Sequence, residues 1–219
     1  MSEKKISIIL TGATGLVGEG ILMECLQNSD VSEILSISRK SCNLQHPKLK
    51  ELIVPDFVRL RDYERTIKGY DACFYCAGIS SAGLSEEKYH YITYDTTIAF
   101  ANAVLKANPD MSFCFVSGRS TDSTEKGRVM WARVKGKAEN TLKEMPFKSE
   151  YNFRPAGMLP FPEQKNAKFS YKLIVKLIRL FAPASVLTLS EVGKAMINAV
   201  KQNYHQNILE VKDIKTVAQ

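Results

Sequence analysis

No apolar run in the chain approaches the roughly 18 residues that a membrane span requires. The charged SEKK at the start is followed by only five mostly apolar residues before Thr11 and Gly12, too few for the core of a secretory signal. These two absences predict a cytoplasmic protein and argue against stable membrane insertion. Cysteine is sparse and odd in number, with five residues scattered at Cys25, Cys42, Cys73, Cys76 and Cys114, so free thiols rather than a disulfide framework are expected. The C-x-x-C of DACFYC lies in a strand-like run, where side chains alternate and Cys73 and Cys76 face opposite sides of a sheet. Histidine occurs only at His46, His90 and His205, with no ligand-like spacing, and no metal site is expected. Acidic residues are absent from Gln164 to Ser190, where five basic ones occur, and five more lie between Lys126 and Lys137. The net charge of +7 nevertheless comes without any recognisable nucleic-acid module. A solvated face plus an anionic small molecule is therefore expected, and no DNA or RNA partner.

What remains is an ordinary globular composition, 45% apolar and 24% charged over 219 residues, enough for one sizeable core. Apolar runs alternate with helical patterns. KISIIL, EILSIS, ELIV, DACFYC, SFCFVS and SEYNFR read as strands, and helices are expected at 16–27, near 62–68, at 86–107 and at 127–144. Strands that are apolar almost throughout are those buried on both faces, which predicts an α/β fold, a Rossmann-like doubly wound parallel sheet covered by helices. The rhythm breaks at PAGMLPFPEQKNAK, whose three prolines mark an irregular connection. Beyond it a helix is expected at about 170–182, and a last one at TLSE, where Thr188 and Glu191 fit a capping box. The whole of 1–219 reads as one domain, with about 155–190 forming a small C-terminal helical lobe on the substrate side.

The strongest local signal is TGATGLVG, at the first strand-to-helix turn. Glycines at 12, 15 and 18 allow a tight turn, a close approach of backbone to a pyrophosphate, and close packing of helix on strand. The segment Thr11, Gly12, Ala13, Thr14, Gly15, Leu16, Val17 and Gly18 is thus a candidate cofactor-binding turn, with the helix N-terminus offering unpaired N–H groups to phosphates. At the end of the second strand, where an NAD site carries a carboxylate for the ribose, the chain has SISRK. Arg39 and Lys40 would attract a 2′-phosphate, which predicts NADP(H) over NAD(H).

These residues resemble the T-G-x-x-G-x-x-G fingerprint of the extended and atypical short-chain dehydrogenase/reductases, a group that includes nucleoside-sugar epimerases. The likeness runs through nearly the whole chain and, with VKGKAEN, is similar to the small branch related to the Tat-interacting-protein oxidoreductases. It implies that Asp56 and Phe57 of PDF meet the adenine, that Cys76, Ala77 and Gly78 form the turn beneath the cofactor, and that FVSG ends in a catalytic serine, Ser117. It also places Arg154 of FRPAGML near the nicotinamide, where it would position cofactor or substrate or hold backbone carbonyls at the sheet end. In that family a tyrosine and a lysine four apart on the next helix act with the serine. Here the lysine position is Lys135 and the tyrosine position is Trp131.

An indole N–H donates a hydrogen bond but does not ionise in the accessible pH range, so Trp131 cannot be a general acid or base. Three roles are open to it: packing in a protein that binds cofactor without chemistry, lining a pocket whose acid comes from elsewhere, or donating a hydrogen bond in a slow reductase. Tyr89, Tyr91 and Tyr94 are candidate replacement acids, and Ser120 and Thr121 are alternatives to Ser117. The basic amphipathic segment SYKLIVKLIRLFAP reads as a wall of the substrate pocket or a subunit contact, so a homo-oligomer is among the expectations, with binding to a membrane surface the lesser alternative. The short chain leaves little material for a separate substrate domain and points to a small-molecule substrate.

Overall fold

A computed structural model of the chain describes residues 4–167, 175, 180 and 185–219. Strands β1 (Ile6–Thr11), β2 (Val31–Ser38), β3 (Leu49–Ile53), β4 (Ala72–Tyr75), β5 (Ser112–Val116), β6 (Ser149–Arg154) and, late in the chain, Ile208–Glu210 form one sheet. Every neighbouring pair in it is parallel. The order is β3-β2-β1-β4-β5-β6 followed by that last strand, so the winding reverses between β1 and β4. Two further strands, β7 (Gly157–Leu159) and β8 (Val186–Thr188), pair in parallel outside the main sheet, and the strand at Ile208–Glu210 is accordingly β9.

The helices are α1 (Leu16–Gln27), α2 (Glu86–His90), α3 (Thr96–Ala107), α4 (Met130–Lys143), α5 (Leu189–Gln202) and α6 (Val211–Val217). A π turn at Tyr91–Asp95 joins α2 to α3, so the helix expected at 86–107 is continuous with one wider turn in it. Helix α5 starts as its sequence predicts: Thr188 Oγ1 accepts from the Glu191 amide at 3.0 Å, and the Glu191 carboxylate accepts from the Thr188 amide at 2.6 Å.

Alternation along each strand sends neighbours to opposite layers, which is why the strands are apolar throughout. Ile8, Leu10, Phe74, Cys114 and Phe153 pack with Ile21 and Leu22 of α1 and Val192 and Met196 of α5. Ile9, Cys73, Tyr75, Phe113 and Phe115 pack on the other side with Phe100 and Val104 of α3 and Ala138 and Leu142 of α4. Each Val, Leu, Ile, Phe or Met among them, fully buried, contributes roughly 1.5–3 kcal/mol. Cys73 and Cys76 fall in different layers, as strand alternation requires.

Three features differ from the sequence reading. The helix expected near 62–68 is instead a 3-10 helix at Phe57–Tyr63, because Asp56 caps it earlier, its carboxylate accepting from the Val58 amide at 3.1 Å. The proline-rich connection contains β7, and the C-terminal β9 and α6 were not foreseen. The helix expected at 170–182 lies almost wholly outside the described residues.

Candidate active site

The site is built at the carboxyl ends of the strands, where the winding reverses, the crevice in which open α/β sheets take ligands. Thr11 ends β1, and its buried hydroxyl accepts the backbone amides of Cys76 and Ala77, each at 3.0 Å. One side chain thus ties β1 to the turn after β4 across the switch point. Gly12 stands at φ +76°, and a Cβ there would lie 2.7 Å from the Cys76 carbonyl oxygen. A Cβ on Gly18 would overlap the carbonyl of Gly12, so helix and turn touch backbone to backbone. Thr14 and Gly15 are exposed at the mouth of the turn. Gly15 caps α1 without any side-chain acceptor, leaving the first-turn amides of α1 to an outside anion. Cradle, exposure and donor set therefore fit a pyrophosphate.

Arg39 and Lys40 are both exposed just past the end of β2. The Ser38 hydroxyl donates to the Lys40 carbonyl at 2.6 Å, and the Glu51 carboxylate accepts from the Ser41 hydroxyl and the Cys42 amide, at 2.7 and 2.8 Å, folding the next residues toward β3. Asp56 is exposed and caps the 3-10 turn; the Phe57 ring lies 5.2 Å from that of Phe100. Gly78 is exposed with open space where a Cβ would be.

At the end of β5 the geometry brings Ser117, Trp131 and Lys135 to one place. Lys135 Nζ donates to the Val116 carbonyl at 3.1 Å and lies 5.2 Å from the centroid of the Phe115 ring. No carboxylate among the described residues stands within ion-pair distance of it. Burial pushes its pKa down to about 8, against the opposing pull of Glu139 one turn along α4. The Trp131 ring packs toward Gly118, where an added Cβ would sit 3.6 Å from it. Ser117 is buried, its Oγ 2.9 Å from Thr121 Oγ1. Thr121 directs its one hydroxyl proton to the Gly118 carbonyl at 2.8 Å, so the proton between the two hydroxyls comes from Ser117. The serine therefore turns lone pairs, not its proton, to the crevice. Ser120, exposed with φ +69°, belongs to the turn that brings Thr121 back.

Arg154 does not join this group. Its guanidinium is bound to both oxygens of Glu139, to Ser123 Oγ at 2.7 Å and to Glu210 at 3.3 Å, which makes it a clamp behind α4 rather than a nicotinamide contact. The three tyrosines also stand apart. Tyr89 is buried at 2% exposure, Tyr91 points largely to solvent, and Tyr94 hydrogen-bonds Thr141 at 3.2 Å beneath the ammonium of Lys137. Lys137 and Thr141 are turned about 200° and about 240° around α4 from Lys135. Two residues that the sequence reading passed over matter here: Glu139, four after Lys135 on the same helix face, was a findable signal, whereas Gly136 acquires meaning only in three dimensions. A Cβ on Gly136 would overlap the Asp122 carbonyl, so this glycine lets the 118–128 loop lie on α4.

Fold and cradle together define an extended short-chain-dehydrogenase-like, NAD(P)-binding protein with a Rossmann-like sheet. Residues 8–129 match the NAD dependent epimerase/dehydratase family, and the chain belongs to it. Protein HTATIP2 of Rattus norvegicus is 25% identical over 155 residues, a match covering 70% of this chain and 63% of that protein. Protein FMP52-2, mitochondrial, of Scheffersomyces stipitis is 26% identical over 225 residues, covering 95% and 96%. Among solved structures, the Bordetella bronchiseptica enzyme WbmF in complex with NAD+ superposes with a TM-score of 0.69 at 11% identity, covering all of this chain and 78% of that one. At that identity the likeness is one of fold. No described helix is long and apolar enough to cross a membrane.

Proposed function

We propose that the protein is an NADP(H)-dependent oxidoreductase or epimerase-like enzyme acting on a small carbonyl or alcohol. The observation that carries this reading is the Lys135 ammonium, without a carboxylate partner, at the strand end that also bears Ser117. A half-buried cation held against a carbonyl with no carboxylate beside it is costly unless a ligand or a reaction uses it. The bound dinucleotide supplies or takes the hydride. The chain does the rest: the amides of Thr11 to Gly18 hold the pyrophosphate, Arg39 and Lys40 the 2′-phosphate, and Lys135 the nicotinamide ribose. Asp56 and Phe57 border the adenine, Cys76, Ala77 and Gly78 form the floor, Ser117 accepts from the hydroxyl of an alcohol substrate, and Trp131 shapes the pocket. Of the segment 155–190 proposed for the substrate side, residues 168–174, 176–179 and 181–184 lie outside the described residues. A small molecule is the proposed substrate.

A second reading is favoured by Trp131 itself: a non-catalytic NADP(H) sensor whose partner contacts follow cofactor occupancy. Incubation with NADPH and a panel of carbonyls separates the two, since turnover supports the enzyme and tight binding without oxidation of cofactor supports the sensor. Cofactor choice is tested by titrating NADPH and NADH separately. Wild type should prefer NADPH at least tenfold, and the Arg39→Ala, Lys40→Ala double variant should lose most of that preference; equal affinities in wild type would refute it. A cytoplasmic location is likewise proposed, beside a yeast relative whose name places it in mitochondria. Fractionation of cells expressing the tagged chain tests it.

A further inference from the structure

The oxidoreductase reading leaves one chemical question open, namely which group moves the proton when an indole stands where the family has a phenol. Among the described residues, each alternative is engaged elsewhere, exposed or a weaker acid. Ser117 has its proton engaged by Thr121, which is itself committed to the Gly118 carbonyl. Tyr94 is on the far side of α4, held by Thr141 and Lys137. Tyr91 is 53% exposed, and burial of Tyr89 pushes its phenol pKa up, making it a weaker acid. Arg154 is occupied by Glu139, Glu210 and Ser123, and a guanidinium does not deprotonate in proteins.

Resting on that reading, we propose that Lys135 itself is the proton donor to the substrate oxygen, a role vacated by the tyrosine and assumed by the lysine. Of its three N–H bonds the Val116 carbonyl takes one, which leaves two for a ribose hydroxyl and a substrate oxygen. In the reduction, the carbonyl carbon receives hydrogen and two electrons from the reduced nicotinamide, the C=O π pair moves onto oxygen, an Nζ–H bond breaks, and an O–H bond forms. Neutral Lys135 then regains its proton from water. In the reverse direction the neutral amine accepts the alcohol proton.

The surroundings suit that duty. Strand β5 offers the lysine the Phe115 ring and the Val116 carbonyl. From α4 the one charged neighbour that acts on it is Glu139, whose carboxylate Arg154 of β6 largely neutralises. With desolvation dominant, the amine titrates at about 8, near the operating pH of a general acid or base.

The test has three parts, all on the full chain. Cofactor titration of wild type comes first: no binding of any pyridine nucleotide at millimolar concentration, or binding without turnover of any carbonyl, overturns the enzyme reading and this inference with it. Acylation of Lys135 in the cofactor-free protein, followed by mass spectrometry across pH, should show half-maximal reactivity near 8. A midpoint at the ordinary lysine value near 10.5 overturns the inference alone. Finally, Lys135→Arg keeps a cation for the ribose but cannot give up its proton. It should hold NADPH within about threefold of wild type while turnover falls about 100-fold, and adding Trp131→Tyr in that background should restore much of the loss. Undiminished turnover in Lys135→Arg would show that the lysine only positions the cofactor.

Discussion

Glu150 is the residue whose chemistry least matches its place. It lies on β6 at 5% exposure, and neither carboxylate oxygen has a hydrogen-bond partner, nor does Oδ1 of Asn152 two positions on. Burial first, and the charge of Glu139 second, push its pKa up to about 8. The folded protein therefore keeps this proton up to about pH 8, whereas the unfolded chain releases it near 4.5, so stability falls as pH rises through that window. Glu150→Gln supplies a neutral isostere with donors of its own. We expect it to raise stability at pH 8 by roughly 2 kcal/mol and to flatten the pH dependence between 5 and 8, read from urea midpoints. Lys135 works in a different window: its folded value lies below its unfolded one, so its contribution rises with pH from about 8 to 10.5. Trp131→Tyr on its own tests the vacated position. If the phenol restores an acid beside Lys135, carbonyl turnover should rise about tenfold or more, with no change in fold by circular dichroism.

Among the elements, what the sequence displayed was what local chemistry decides. The run TGATGLVG, the six long strands, α1 at its observed bounds and the Thr188–Glu191 box were all legible, because periodicity, glycine spacing and capping are short-range. The three-residue strands β7, β8 and β9 were not, since so short a strand exists only through its pairing partner. The 3-10 turn was missed because Asp56 was read as an adenine contact and not as a cap. In the site, Ser117, Trp131 and Lys135 were visible as positions on a strand end and a helix, whereas the Thr121 relay and the Arg154–Glu139 pair depend on contacts that no spacing announces. Gly136 makes the point testable. Gly136→Ala must push the Asp122 backbone off α4, displacing the loop that carries Thr121, so it should lower turnover and Tm together, by an expected 2–4 kcal/mol in stability. An alanine tolerated without either loss would show that the loop is free to move.

At the scale of the whole molecule, Arg154 holds four parts of the chain together: its own strand β6, Glu139 of α4, Ser123 in the loop after β5, and Glu210 at the end of β9. Removing it leaves the Glu139 carboxylate at 2% exposure without a cation. Arg154→Ala should therefore cost about 3–5 kcal/mol, whereas the Arg154→Met, Glu139→Leu pair should recover much of it. A loss below 1 kcal/mol in the urea midpoint of Arg154→Ala would show the clamp to be dispensable.

The π turn at Tyr91–Asp95, in which the Thr96 amide reaches back to the Tyr91 carbonyl, has a consequence for how this helix can change by descent. One residue more than an α-helix needs is accommodated there, so everything before it is rotated by about 100° relative to everything after. That rotation faces Glu86 to Arg133 and His90 to Lys137. Loss of a single codon within the turn would straighten the rod and swing both partners away from α4, although no side chain in either pair had been altered. Homologues lacking that codon should carry different residues at all four positions.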